Sequence, residues 1–197
     1  MQFLVKRCVR NQVILAASGL LLAAGLLYSF VWVLQSWTPP IPAAAQREVT
    51  GVIEKPRKSV EQRKQAITSY LATRYKQHTK VVRSYVDLAW RESAKHPGVE
   101  PELILAVIQK ESSLSAKASN SYGAQGLMQV VRRWHPEKVG HKESLMDPGV
   151  NIRVGAQILK QYIDEKGRIE PALVKYSGNA SGYADFVMRE KRVLQEI

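Results

Sequence analysis

The apolar positions of this chain change their period along its length. From Val13 to Leu34 they run almost unbroken (VILAASGLLLAAGLLYSFVWVL), 22 residues without one charged side chain. As a helix this run is about 33 Å long, enough to cross a hydrocarbon layer of about 30 Å. Tyr28, Trp32 and Trp37 gather at its far end, where amphipathic rings settle at a membrane interface. Farther on, Ile67, Leu71, Tyr75, His78, Val82, Tyr85 and Ala89 recur at steps of three and four. That spacing predicts one face of a long helix, or two helices with a bend near His78-Thr79, and places His78 on a packed or half-exposed stripe. Ser59 with Gln62 reads as an N-cap and its capping-box partner, and His96-Pro97-Gly98 is a firm stop. Pro101 then stands at a first helical position, with Glu102 in the first turn and Leu103, Ile104, Val107 and Ile108 forming an apolar face. Asp147-Pro148 opens another helix in the same way. No stretch alternates as a strand should, Val130-Val131 being the only hint, so the chain from Val81 onward reads as all-α.

Charge sets the order of these parts. Lys6, Arg7 and Arg10 precede the apolar run with no acid among them, and none follows directly, which points the N-terminus to the cytoplasm. In a bacterium the remainder then lies in the periplasm, on a single-pass inner-membrane anchor. A cleavable signal would have a shorter apolar stretch, about 7–15 residues, so a retained anchor is the better reading. The expected layout is a cytoplasmic N-terminus (1–12), a transmembrane anchor (13–34), a basic and partly helical stalk (35–80) and a helical domain (81–197) that holds the candidate chemistry. The chain carries 29 Lys and Arg against 17 Asp and Glu, a net +12. Half of that excess falls between Gln46 and Lys80, where a stalk would lie along anionic lipid or wall polymer, or simply be solvated. Nucleic acid is not expected as a partner, because no recognition motif is present. One cysteine, Cys8, excludes an internal disulfide framework, and four scattered histidines offer no ligand spacing; no metal or cofactor is expected.

The candidate chemistry begins at Glu111. It lies four residues beyond Val107 and three beyond Ile108, so it projects near the buried stripe of its helix. A carboxylate that loses water there has a raised pKa, as a general acid at neutral pH requires. Periodicity alone would equally allow an ordinary glutamate at a frayed helix end.

Four motifs follow one another from Glu111-Ser112, through Gly123-Ala124-Gln125-Gly126-Leu127-Met128-Gln129 and Asp147-Pro148 with Asn151-Ile152, to Tyr176 in Tyr176-Ser177-Gly178-Asn179-Ala180. In this order they resemble the catalytic domain of the soluble lytic transglycosylases, relatives of goose-type lysozyme that cut bacterial peptidoglycan. The resemblance implies a lysozyme-like helical domain, Glu111 as the catalytic acid and then base, and Tyr176, Gln129 and Asn120 as substrate contacts. Asn120 stands where the family commonly has Ser, Ser177 replaces an Asn, and Val130-Val131-Arg132-Arg133-Trp134-His135-Pro136 replaces the usual Met-Pro-Ala-Thr. Trp134 and His135, beside two arginines, offer rings and charge to sugars and peptide carboxylates, or merely anchor a surface loop. Asp164 and Glu165 read as a polar stretch, Asp185 and Glu190 as exposed helical charges, and Asn151 as structural.

With one placed carboxylate where glycoside hydrolysis ordinarily uses two, the nucleophile must come from elsewhere. The resemblance implies the 6-hydroxyl of the N-acetylmuramic acid ring, giving a 1,6-anhydro product. A goose-type-lysozyme-like hydrolase and a non-catalytic wall-binding module are the competing readings. Expected partners are peptidoglycan strands, the inner membrane, and a cell-envelope secretion, conjugation or pilus apparatus that would need the wall opened.

Overall fold

A computed structural model of the chain describes residues 58–197; the expected anchor at 13–34 and the stalk up to residue 57 lie outside them. Among the described residues no helix is long and apolar enough to cross a membrane. The first helix, α1 (Val60–Tyr75), starts at a complete capping box: the Ser59 hydroxyl accepts the Gln62 N–H, and the Gln62 side chain accepts the Ser59 N–H. Lys76 ends it in a left-handed conformation. The chain breaks where the sequence suggested, and α2 (Thr79–Ser93) begins at once. His78 is not a stripe residue. It is the exposed N-cap of α2, its Nδ1 accepting the Lys80 N–H at 3.2 Å.

The expected domain start at Val81 would sever α1 from the helix it packs on. Ile67 and Leu71 of α1 are fully buried in the common core, and the compact unit runs from Arg57 to Ile197. Three of the basic residues assigned to a stalk are partners of the domain's own acids: Lys64 pairs with Asp87 at 2.9 Å, Arg74 with Glu190 at 2.6 Å, and Arg63 with Glu102. Part of the basic excess is therefore internal to the fold.

The centre of the molecule is α3 (Pro101–Ser112). Every residue from Glu102 to Gln109 is buried, so this helix is covered on all sides rather than on one face. Around it stand α2, α4 (Pro148–Lys166) and α6 (Tyr183–Glu196), with α5 (Ile169–Tyr176) bridging α4 and α6. The result is a lysozyme-like helical bundle. Lys191 and Gln195 reach Glu100 at one end of α3 while Tyr183 reaches Glu111 at the other, so α3 and α6 run antiparallel.

Among the described residues the departure from an all-helical domain is a small antiparallel hairpin, with a single bridge from Ser119 to Gln125 beside it. β1 (Ala124–Gln125) pairs with β2 (Val130–Val131), Ala124 opposite Val131 and Gln125 opposite Val130. Strands of two residues are too short to show a period. Two 3-10 turns follow, braced by Arg132, which donates to the Glu143 carbonyl at 2.5 Å, and by Arg153, which pairs with the Glu143 carboxylate at 2.6 Å.

Candidate active site

The hairpin loop between β1 and β2 is the hub on which the separate sequence motifs meet. Asn151, fully buried on α4, accepts the Met128 N–H at 2.7 Å and donates to the carbonyls of Gln125 at 2.7 Å and Leu145 at 2.9 Å. The Ser112 hydroxyl at the end of α3 donates to the Leu127 carbonyl at 2.8 Å. From α5, the Tyr176 hydroxyl donates to the Met128 carbonyl at 2.9 Å. Three helices thus hold the loop by its backbone, which leaves few of its polar groups unpaired in the interior. Gly126 is required here: its φ is +76°, and a Cβ would overlap the Leu145 carbonyl and the Asn151 amide.

Glu111 stands in the last turn of α3, half-buried beside this hub. Its Oε1 accepts the Tyr183 hydroxyl at 2.5 Å, across 72 positions of sequence. Loss of water raises the Glu111 pKa above the usual carboxylate range, while the Tyr183 hydrogen bond and the charge of Lys110 oppose that rise. The phenols respond in kind. Burial, reinforced by the glutamate's charge, pushes Tyr176 and Tyr183 well above the ordinary tyrosine value, so both remain hydrogen-bond donors.

Among the described residues Glu111 is set apart by what it lacks. The other shielded acids have cations on them: Glu92 has Lys95 at 2.9 Å, Glu190 has Arg74, and Glu102 has Arg63. Asp147 caps α4 by accepting the Val150 N–H at 2.9 Å, and Asp164 is tied to Lys160 on the surface. Glu190 is not the exposed helical charge that its sequence context suggested; only 4% of the residue is accessible. Glu111 alone is a shielded carboxyl without an ion pair, and no second carboxylate touches it.

The other residues singled out in the sequence lie around the same loop with different attachments. Tyr176 bonds the loop backbone, and the hydroxyl on Glu111 is that of Tyr183, which the sequence reading missed. Gln129 adopts a φ of +48°, and its Nε2 donates to the carbonyls of Gly126 at 2.9 Å and Ala118 at 3.1 Å. Such a posture costs a non-glycine residue about 1–2 kcal/mol and persists where the surroundings enforce it. Asn120 is exposed; its Oδ1 accepts the N–H groups of Tyr122 at 3.0 Å and Ala124 at 3.1 Å, an Asx turn entering β1.

Beside the loop a cleft of about 80 Å³ is lined by Gln129, Val131, Trp134, His135, Tyr162 and Tyr176 among others. Trp134 is largely exposed with the Arg133 guanidinium 5.5 Å from its ring, and Tyr162 meets Tyr176 edge-on at 6.4 Å. Burial lowers the His135 pKa below its ordinary value. Among the described residues no three His, Cys, Asp or Glu side chains converge so as to hold a metal ion.

The model of the family described as "Transglycosylase SLT domain" matches residues 88–188 of the chain. The chain belongs to this family. The matched span of the SLT domain contains Glu111, the hairpin loop, Asn151, Tyr176 and Tyr183. Among curated proteins, the transglycosylase of Enterobacteria phage PRD1 is 32% identical over 83 residues, 42% of this chain and 31% of that protein. Invasion protein IagB of Salmonella typhimurium is 30% identical over 100 residues, 47% of this chain and 62% of IagB. This chain thus spans less than two thirds of either relative. No solved structure gives a significant match. Membership is consistent with a peptidoglycan-related enzymatic or binding role in general.

Proposed function

We propose that the domain is a peptidoglycan lytic transglycosylase that cleaves the β-1,4 bond between N-acetylmuramic acid and N-acetylglucosamine. The observation that carries this reading is the state of Glu111: shielded, unpaired with any cation, raised in pKa, and oriented by the Tyr183 hydroxyl. A carboxyl so placed keeps its proton to higher pH than an exposed one, as a general acid requires. Glu111 gives its proton to the glycosidic oxygen as the bond to the muramic anomeric carbon breaks, releasing the 4-hydroxyl of the glucosamine. Positive charge develops at that carbon. The Glu111 carboxylate then removes the proton of the muramic 6-hydroxyl, whose oxygen closes on the anomeric carbon as a 1,6-anhydro ring. Glu111 ends protonated, as it began, and no water is consumed.

Glycoside hydrolysis ordinarily uses a second carboxylate, about 5–5.5 Å away as nucleophile or about 6.5–9.5 Å away as the base for water. Tyr183 donates to the Glu111 carboxylate and so favours it during the second step. Gln129, with its amide nitrogen held by two carbonyls, is left to offer its Oε1 to a sugar donor. Tyr176 and Trp134 supply ring surface along the cleft, and Asn120 shapes the approach to β1. In this reading the domain is periplasmic, tethered to the inner membrane by residues 13–34, and serves an envelope apparatus that crosses the wall.

Digestion of purified peptidoglycan in ¹⁸O-labelled water tests the chemistry. Intramolecular closure gives products with no label at the muramic terminus. One labelled oxygen per cut would show hydrolysis and overturn the proposal.

A further inference from the structure

The family match begins at Leu88, inside α2, yet α1 is bonded to both helices that carry the Glu111–Tyr183 pair. On α3, Arg63 pairs with Glu102, and the Tyr75 hydroxyl donates to Gln109 Oε1 at 3.2 Å, two residues before Glu111. On α6, Arg74 pairs with Glu190 at 2.6 Å. Glu190 lies two helical turns beyond Tyr183 on the same buried stripe, with Val187 and Leu194. The side chains of Glu102 and Glu190 are only 3% and 6% exposed, so water does little to stabilise their charge. Arg63 and Arg74 supply the short ion pairs to these two carboxylates from outside the family domain.

We propose that α1 is a positioning clamp, in which Arg63, Arg74 and Tyr75 fix α3 against α6 and thereby hold the Tyr183 hydroxyl on Glu111. α3 and α6 touch along their length, but their end-to-end register decides whether a hydrogen bond of 2.5 Å forms at the Glu111 end. Without Arg74, Glu190 keeps only the longer pairing with Arg189 at 3.7 Å, and its charge would draw the C-terminal half of α6 toward water and lengthen that bond. The titratable and charged groups that face Glu111 are Lys110 on its own helix, Tyr183 on α6 and Tyr176 on α5. Of these, Tyr183 is the one that the clamp moves. For its activity arm the inference rests on Glu111 being the acid.

The test uses the full chain with Arg74→Gln, Arg74→Lys and Tyr183→Phe, singly and with the first and last combined. Glu111 is titrated by carboxyl ¹³C NMR, and turnover on peptidoglycan is measured in parallel. Arg74→Gln is expected to raise the Glu111 pKa in the same direction as Tyr183→Phe and to lower kcat about tenfold, the equivalent of one lost hydrogen bond, with KM unchanged. Arg74→Lys restores both, and adding Arg74→Gln to Tyr183→Phe changes neither further. If Arg74→Gln does not fold, Tyr75→Phe, which deletes one hydroxyl, carries the same titration. A folded Arg74→Gln protein with a lowered Tm but an unmoved Glu111 titration would overturn the clamp. A wild-type chain inactive on peptidoglycan would sink the lyase reading, while the titration would still decide the clamp.

Discussion

Replacing Asn151 by Ala removes the side chain on which the hairpin loop is organised. Three hydrogen bonds of 2.7–2.9 Å are lost at once, and the Met128 N–H and the Leu145 and Gln125 carbonyls are left in a part of the fold with little access to water. An orphaned buried polar group costs about 1–3 kcal/mol. Water entering the vacated space would relieve some of that, so the expected loss is about 3–5 kcal/mol, a large share of a typical domain stability of about 5–15 kcal/mol. Urea unfolding of the wild-type and variant domains, followed by circular dichroism, measures the difference directly. Asn151→Asp separates the contributions, because it keeps the acceptor for Met128 but turns an oxygen toward two carbonyls. It is expected to be no better than Ala at neutral pH. A loss below about 1 kcal/mol for Asn151→Ala, with an unchanged denaturant slope, would refute the reasoning that this amide holds the loop.

Other outcomes follow from the same contacts. A fragment of residues 57–197 is expected to fold, whereas 81–197 is not: it lacks Ile67 and Leu71, worth about 1.5–3 kcal/mol each, takes Arg63 from Glu102 at about 3–5 kcal/mol, and takes Arg74 from Glu190, leaving it the longer Arg189 pairing; circular dichroism distinguishes the two. Glu111→Gln is expected to be more stable than wild type at pH 7. The native state, with its raised Glu111 pKa, binds more protons than the unfolded chain, so wild-type stability falls as pH rises above about 4.3, and the variant's advantage vanishes below that; unfolding curves across pH test this. Tyr183→Phe removes the hydrogen bond that lowers the Glu111 pKa, so the alkaline limb of the kcat–pH profile is expected to move to higher pH. A limb that moves to lower pH would contradict the assignment of the bond.

What the sequence revealed, and what it hid, divides along the distance over which the information acts. Helix starts are local: Ser59 with Gln62, Pro101, and Asp147 with Pro148 all stand where helices begin, because a cap needs only its own first turn. The break at His78 was legible for the same reason, though not the cap formed by its ring. Tyr183 was invisible as a partner of Glu111, since 72 residues separate them and nothing around Tyr183 marks its hydroxyl. Its stripe with Val187, Glu190 and Leu194 could have shown that Glu190 faces inward. The stalk boundary failed because a count of Arg and Lys does not say whether the charges are solvated; Arg63, Lys64 and Arg74 are matched by acids distant in sequence. The hairpin strands are two residues long, shorter than any period. Tyr176 was marked by its motif, but the atom it bonds, the Met128 carbonyl, is a property of the folded loop alone.

The measurement that bears most directly on the account is the mass of the fragments released when the full chain and its Glu111→Gln variant are incubated with purified peptidoglycan. The account requires anhydro-muropeptides, lighter by one water than the hydrolysis products, from the wild type. It also requires a loss of about 10²–10⁴-fold in the variant, which keeps the side chain's shape but has no proton to give. Reducing-end fragments from the wild type, or undiminished release from a folded Glu111→Gln protein, would contradict it.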